Sequence, residues 1–86
     1  MSRYSKIREK LFAATPPRNF TWEELKYLFC SNSYEVRNGG GSRRKFVNQE
    51  TKHVVNFHKP HPGNELKAYM VKLAKEAVQE MEERQK

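Results

Sequence analysis

The chain has 86 residues, of which 36% are hydrophobic, and carries 17 Lys and Arg against 10 acids for a formal net charge of +7. One domain with a modest core fits that length, and the basic balance suits a polyanion such as nucleic acid, although a merely soluble basic domain has the same charge. A single cysteine, Cys30, excludes an internal disulfide or a Cys-based zinc finger; no apolar run approaches the roughly 20 residues of a membrane span, and residues 1–20 lack a signal-peptide core, so the expected compartment is the cytoplasm with no membrane partner.

Tyr4, Ile7 and Leu11 recur at spacings of three and four, which predicts an amphipathic helix over residues 3–13, ended by Thr15-Pro16-Pro17. A second helix opens at Thr21, where Glu24 completes a capping box and Phe20 is placed to staple onto Leu25. Trp22, Leu25, Leu28 and Phe29 share its apolar face. The helix is expected to stop near Cys30 or Ser31, with Asn32 in the left-handed stop conformation and Cys30 as core filler.

The period then changes from helical to alternating. Tyr34-Glu35-Val36-Arg37 reads as a strand, glycines follow at 39–41, and two further strands lie at Arg43 to Asn48 and His53 to His58. The polar linker Gln49-Glu50-Thr51-Lys52 is a hairpin turn. Centred on Glu50-Thr51, it pairs Phe46 with Val55, Arg44 with Phe57, Lys45 with Asn56 and Arg43 with His58. Alternation then puts Phe46, Val55 and Phe57 on the core face and Arg43, Lys45, Asn56 and His58 on the solvent face.

Lys59-Pro60-His61-Pro62-Gly63 forms a rigid loop. Asn64 is expected to cap the last helix, with Glu65 against its positive end. Leu66, Met70, Leu73, Ala77 and Met81 mark its buried stripe, opposite Lys72, Lys75 and Glu76. The order helix, helix, three antiparallel strands, helix gives an α+β domain with helices on one face of the sheet and the other face open.

Charge is concentrated in the middle of the chain. Residues 31–64 hold six bases against Glu35 and Glu50, together with all three histidines, whereas residues 65–86 hold five charges of each sign. All ten acids are glutamate. A two-metal nuclease needs several converging carboxylates, so neither a metal nor a small-molecule cofactor is expected. Gly39-Gly40-Gly41-Ser42-Arg43-Arg44-Lys45-Phe46 combines backbone that can approach a phosphate with bases to hold it, but it lacks the Lys-Ser/Thr ending of a Walker loop; a flexible strand connection beside a solvated basic strand is the plainer reading. His58-Lys59-Pro60-His61 offers two side chains able to move protons near neutral pH, or simply surface histidines. His53, near the turn, is structural or idle.

Phe20-Thr21-Trp22-Glu23-Glu24-Leu25, Tyr34-Glu35-Val36-Arg37, Gly41-Ser42-Arg43-Arg44-Lys45-Phe46, His58-Lys59-Pro60-His61-Pro62 and Leu66-Lys67 together resemble the HicA-type toxins. The resemblance runs from about Phe20 to Ala77. It implies a HicA-like α-β-β-β-α domain over residues 20–86, similar to the double-stranded-RNA-binding domain, with residues 1–19 as a helical extension. It also implies an mRNA endonuclease silenced by a HicB-type antitoxin. The family motif is Gly-Ser-His-x-x-Phe, whose histidine is held responsible for cleavage; here Arg43 stands at that position.

Arginine stays protonated and cannot serve as a general base, but it can stabilise charge on a phosphate. The expected pairing sets His58 directly opposite Arg43, within reach of the space a motif histidine would occupy. His58 is therefore the expected acid/base and His61 a second proton carrier, with Arg37, Ser42, Arg43, Lys45 and Lys59 as RNA and phosphate ligands. Two other readings stay open: an inactive HicA-like module binding RNA or DNA, and a protein-interaction domain for an acidic partner.

Overall fold

The computed structural model describes residues 2–15, 18–61 and 63–84; Pro16, Pro17 and Pro62, assigned above to helix termination and loop rigidity, lie outside the described residues. The elements are α1 (Arg3–Leu11), α2 (Trp22–Cys30), β1 (Tyr34–Asn38), β2 (Arg43–Asn48), β3 (Val54–His58) and α3 (Ala68–Arg84). The strands form one antiparallel sheet in the order β1-β2-β3. This is the expected α+β architecture.

Local chemistry explains the start of α2. The Thr21 hydroxyl accepts from the Glu24 N–H, and the Glu24 carboxylate accepts from the Thr21 N–H at 2.9 Å, so two otherwise orphaned donors are satisfied reciprocally. It stops at Cys30 with Ser31 as its C-cap, as expected, but Asn32 is not the left-handed residue. The left-handed residue is Ser33, with φ +68°, while the Asn32 side chain donates to the Leu28 carbonyl and the Tyr4 hydroxyl. Cys30 is exposed rather than core filler, and burial of its thiol raises the pKa against the opposing field of Lys26.

The β2–β3 register pairs Arg43 with His58, Lys45 with Asn56 and Phe46 with Val55, as the polar linker dictates. Side chains at 44, 46 and 48 therefore point toward the helices and those at 43, 45 and 47 away from them. Phe46 is fully buried, with its ring stacked on Phe29 at 4.5 Å between centroids and on Trp22 at 5.3 Å. Asn48 is buried too; its amide oxygen accepts from Glu50 and Thr51 N–H at 2.8 Å each, which closes the turn.

The last helix begins later than expected. Instead of capping, Asn64 accepts from the Trp22 N–H through its carbonyl at 2.7 Å, and the Leu66 N–H donates to the Phe20 carbonyl at 2.7 Å. Thr21 and Glu65 bridge between them. This short antiparallel pairing holds 64–66 extended, so α3 starts only at Ala68. The helix is also rotated from the expected phase. Met70, Val71, Ala74, Val78 and Met81 are buried, Ala77 packs at the margin of the cluster, and Leu73 is half exposed. Adjacent helical residues lie about 100° apart, so burying Ala74 turns Leu73 toward the sheet edge.

The first helix shares this core. Ile7 and Leu11 are buried in the same cluster as Phe29 and Met81, and Arg8 forms a two-pronged ion pair with Glu82 at 2.6 and 2.8 Å. That pair draws the Arg8 pKa up through its hydrogen bonds, against the cost of desolvation.

Candidate nucleic-acid interface

The β1–β2 turn is built by glycine for steric reasons. A Cβ at Gly39 would meet the Arg43 Cβ at 2.9 Å, and Gly41 has φ +58°. The Gly39 N–H donates to the Arg43 carbonyl at 2.9 Å and the Gly40 carbonyl accepts from Arg43 at 3.0 Å. Gly39 and Gly40 thus hold a tight hairpin connection through these groups, where the sequence suggested a flexible one. Arg44, counted above among the bases beside the glycines, clamps this turn by donating to the Gly41 and Arg43 carbonyls at 2.9 and 2.7 Å.

The Lys59 N–H donates to the Ser42 carbonyl at 2.8 Å and ties the loop after β3 to that turn. Ser42, Arg43, Lys45, His58, Lys59 and His61 consequently gather around adjoining depressions at one end of the sheet, the second of them reaching the start of α3. One, of about 440 Å³, is lined by Gly39, Arg43, Lys45, Asn56 and His58 among others. The next, of about 330 Å³, is lined by Ser42, His58, Lys59, His61, Lys67 and Tyr69 among others. His58 belongs to both. No carboxylate lines either one among the described residues.

Arg37 is set apart from this group. It pairs with Lys45 in the strand register, yet its guanidinium is held by Glu35 at 3.1 Å. The Glu35 carboxyl lies below its ordinary pKa because Gln49 and then Arg37 donate to it. Arg43, Lys45 and Lys59 have no carboxylate partner among the described residues. Their field therefore extends toward solvent, where an anion can meet it.

His53 has a different environment from the other histidines. Its Nδ1 lies 2.7 Å from the Tyr34 hydroxyl and its Nε2 lies 3.3 Å from Glu80, so it fastens the β2–β3 turn to α3. The two depressions are also lined by Asn56, Lys67 and Tyr69, to which sequence reasoning gave no site role, and Leu73, expected in the core, lines a third depression beside them. Tyr69 gave one usable signal: an aromatic residue off the apolar stripe of its own helix. No group of three His, Cys, Asp or Glu side chains able to hold a metal converges among the described residues, and no helix there is long and apolar enough to cross a membrane.

A three-stranded antiparallel sheet with helices on one side and an uncovered basic face is the arrangement of the double-stranded-RNA-binding domain and its relatives. Within that class, residues 22–78 match the family described as HicA toxin of bacterial toxin-antitoxin, and the chain belongs to that family. Helix α1 lies outside the matched span, although it contributes to the core. No curated protein and no solved structure matches the chain.

Proposed function

We propose that the protein is the RNA-cleaving toxin of a type II pair, acting on mRNA in the cytoplasm and silenced by a HicB-type antitoxin, with its acid/base group moved across the hairpin from position 43 to His58. The observation carrying this reading is the direct pairing of Arg43 with His58 on the open sheet face. Directly opposed residues hold their Cβ atoms about 4.5–5.5 Å apart, so an imidazole on β3 reaches nearly the space of one on β2. In this scheme neutral His58 takes the proton of a ribose 2′-hydroxyl as that oxygen attacks the adjacent phosphorus. Arg43, Lys45 and Lys59 stabilise the charge growing on the phosphoryl oxygens, and protonated His61 gives a proton to the departing 5′-oxygen. The products are a 2′,3′-cyclic phosphate and a 5′-hydroxyl, reached without a metal or cofactor. Ser42 and Arg37 bind RNA at the rim, and residues 1–19 extend the HicA-like domain of residues 20–86.

The arginine at the motif position favours a second reading, an inactive module that binds RNA or DNA through the same cations. Incubation of purified protein with RNA in EDTA separates the two. Replacing His58 with Ala should lower cleavage about 10²–10⁴-fold, the usual contribution of general acid–base catalysis, with RNA binding retained. Full activity in His58→Ala refutes the relocated base. An inactive wild type that gains cleavage on Arg43→His identifies the binding module.

A further inference from the structure

We propose that Tyr69 is a base-stacking residue that holds an unpaired nucleobase beside the phosphate bound at His58. The inference rests on the nucleic-acid reading above and adds to it the strandedness of the substrate. Every other Phe, Trp and Tyr ring of the chain is buried in the core cluster or packed against it, whereas Tyr69 is 62% exposed in the first turn of α3. Leu73, one turn later, is 50% exposed and lines the same depression as Tyr69, His58, Asn56 and Phe57. Tyr69 also borders the depression formed with Ser42, Lys59, His61 and Lys67.

A ring that shares one depression with an apolar neighbour and another with cations matches the two halves of a nucleotide, a flat π-face joined to an anion. The aromatic faces of Phe29, Phe46 and Trp22 are consumed in packing, so Tyr69 is the ring left for a base. Stacking of this kind tolerates any base and strengthens binding by roughly 5- to 150-fold per base. It requires a base free of its partner strand, so this end of the sheet takes single-stranded or looped RNA in preference to a continuous duplex.

The test is equilibrium binding of a short oligouridine and of an RNA duplex across a salt series. Tyr69→Ala should weaken oligouridine binding at least 5-fold while leaving the salt slope and the duplex affinity unchanged, because no phosphate contact is lost. Tyr69→Phe should stay within about twofold of wild type. In a Tyr69→Trp variant, fluorescence should be quenched by oligouridine and not by tripolyphosphate, which carries charge without a base; Trp22, buried in the core, provides a constant background.

Wild-type affinity in Tyr69→Ala, alongside a slope lowered by about one unit in Lys45→Ala, overturns the stacking role while the nucleic-acid face stands. Absence of salt-dependent RNA binding in the wild type overturns both readings. Unchanged RNA binding in Tyr69→Ala, with loss of the complex with a HicB-type partner, assigns the ring to a protein interface and likewise overturns the proposal.

Discussion

On the covered face of the sheet, Phe46 stacks between Trp22 and Phe29 and has no solvent exposure. One residue away on the same strand, Lys45 is exposed and has no carboxylate partner among the described residues. The helical layer repeats the contrast in its charges: Arg8 is bound to Glu82 and Lys10 to Glu24, whereas Arg43 and Lys59 have no carboxylate partner among the described residues. Strand alternation alone creates the two environments, since successive side chains point to opposite faces. In a chain this small, residues that close the core cannot also meet a ligand. Stability and chemistry therefore divide along β2 residue by residue, and a register slip of one would exchange them.

The strongest test of that division is a pair of adjacent substitutions. Phe46→Ala should destabilise the fold by about 3–5 kcal/mol, the usual cost of removing a buried phenylalanine. Lys45→Ala should change stability by less than about 0.5 kcal/mol. Urea unfolding of both variants measures the difference. Equal losses would show that β2 does not separate the two faces.

A smaller effect is expected where a histidine belongs to the scaffold. Replacing His53 with Ala removes the link between Tyr34 and Glu80 and takes one partner from the hydroxyl of the buried Tyr34. The expected cost is about 1–3 kcal/mol in thermal or urea unfolding, with the rate of RNA cleavage unchanged after correction for the folded fraction. Reduced cleavage by fully folded His53→Ala would erase the distinction between this histidine and His58.

Features legible in the sequence were those set by neighbours in the chain. Four polar residues between two alternating runs leave little choice of register, so the Arg43–His58 pair could be read directly. The capping box at Thr21 and Glu24 was equally local. Where sequence reasoning failed, a distant partner decided the outcome. Asn64 has the chemistry of a helix cap, but the N-terminus of α2 recruits its backbone, and α3 begins at Ala68. Leu73 and Ala74 both fall on stripes of helical period, and only packing against the sheet and α1 selects between them. Three glycines beside arginines read as a phosphate cradle or as a turn, and the 2.9 Å approach of Gly39 to Arg43 gives the steric reason for the turn. As for the candidate site, its basic and histidine members were legible because charge and spacing mark them. Tyr69 left only its place off the apolar stripe of its own helix as a signal, since an exposed ring follows no periodic pattern.

The last contrast concerns paired and unpaired charge, and pH resolves it. Glu24 accepts from the Thr21 N–H and from Lys10 Nζ, each at 2.9 Å. Burial works to raise its pKa, yet these donors outweigh burial and hold the carboxyl below the ordinary range. Because the folded pKa is lowered, the carboxylate stabilises the fold above its unfolded pKa of about 4.3, and the contribution is lost as pH falls through the folded value. Glu24→Gln keeps a side chain able to complete the capping box and removes only the charge. Its cost should be about 1 kcal/mol or less at neutral pH, since Lys10 remains partly exposed to screening solvent, and should shrink toward zero as pH falls through the lowered folded value. Urea unfolding at stepped pH values measures this. Lys45→Ala, with no carboxylate beside it, should show no such pH dependence over the same range. A Glu24→Gln deficit that persists unchanged in acid would mean that the ion pair contributes nothing, and that the helical layer is held by its caps and apolar contacts alone.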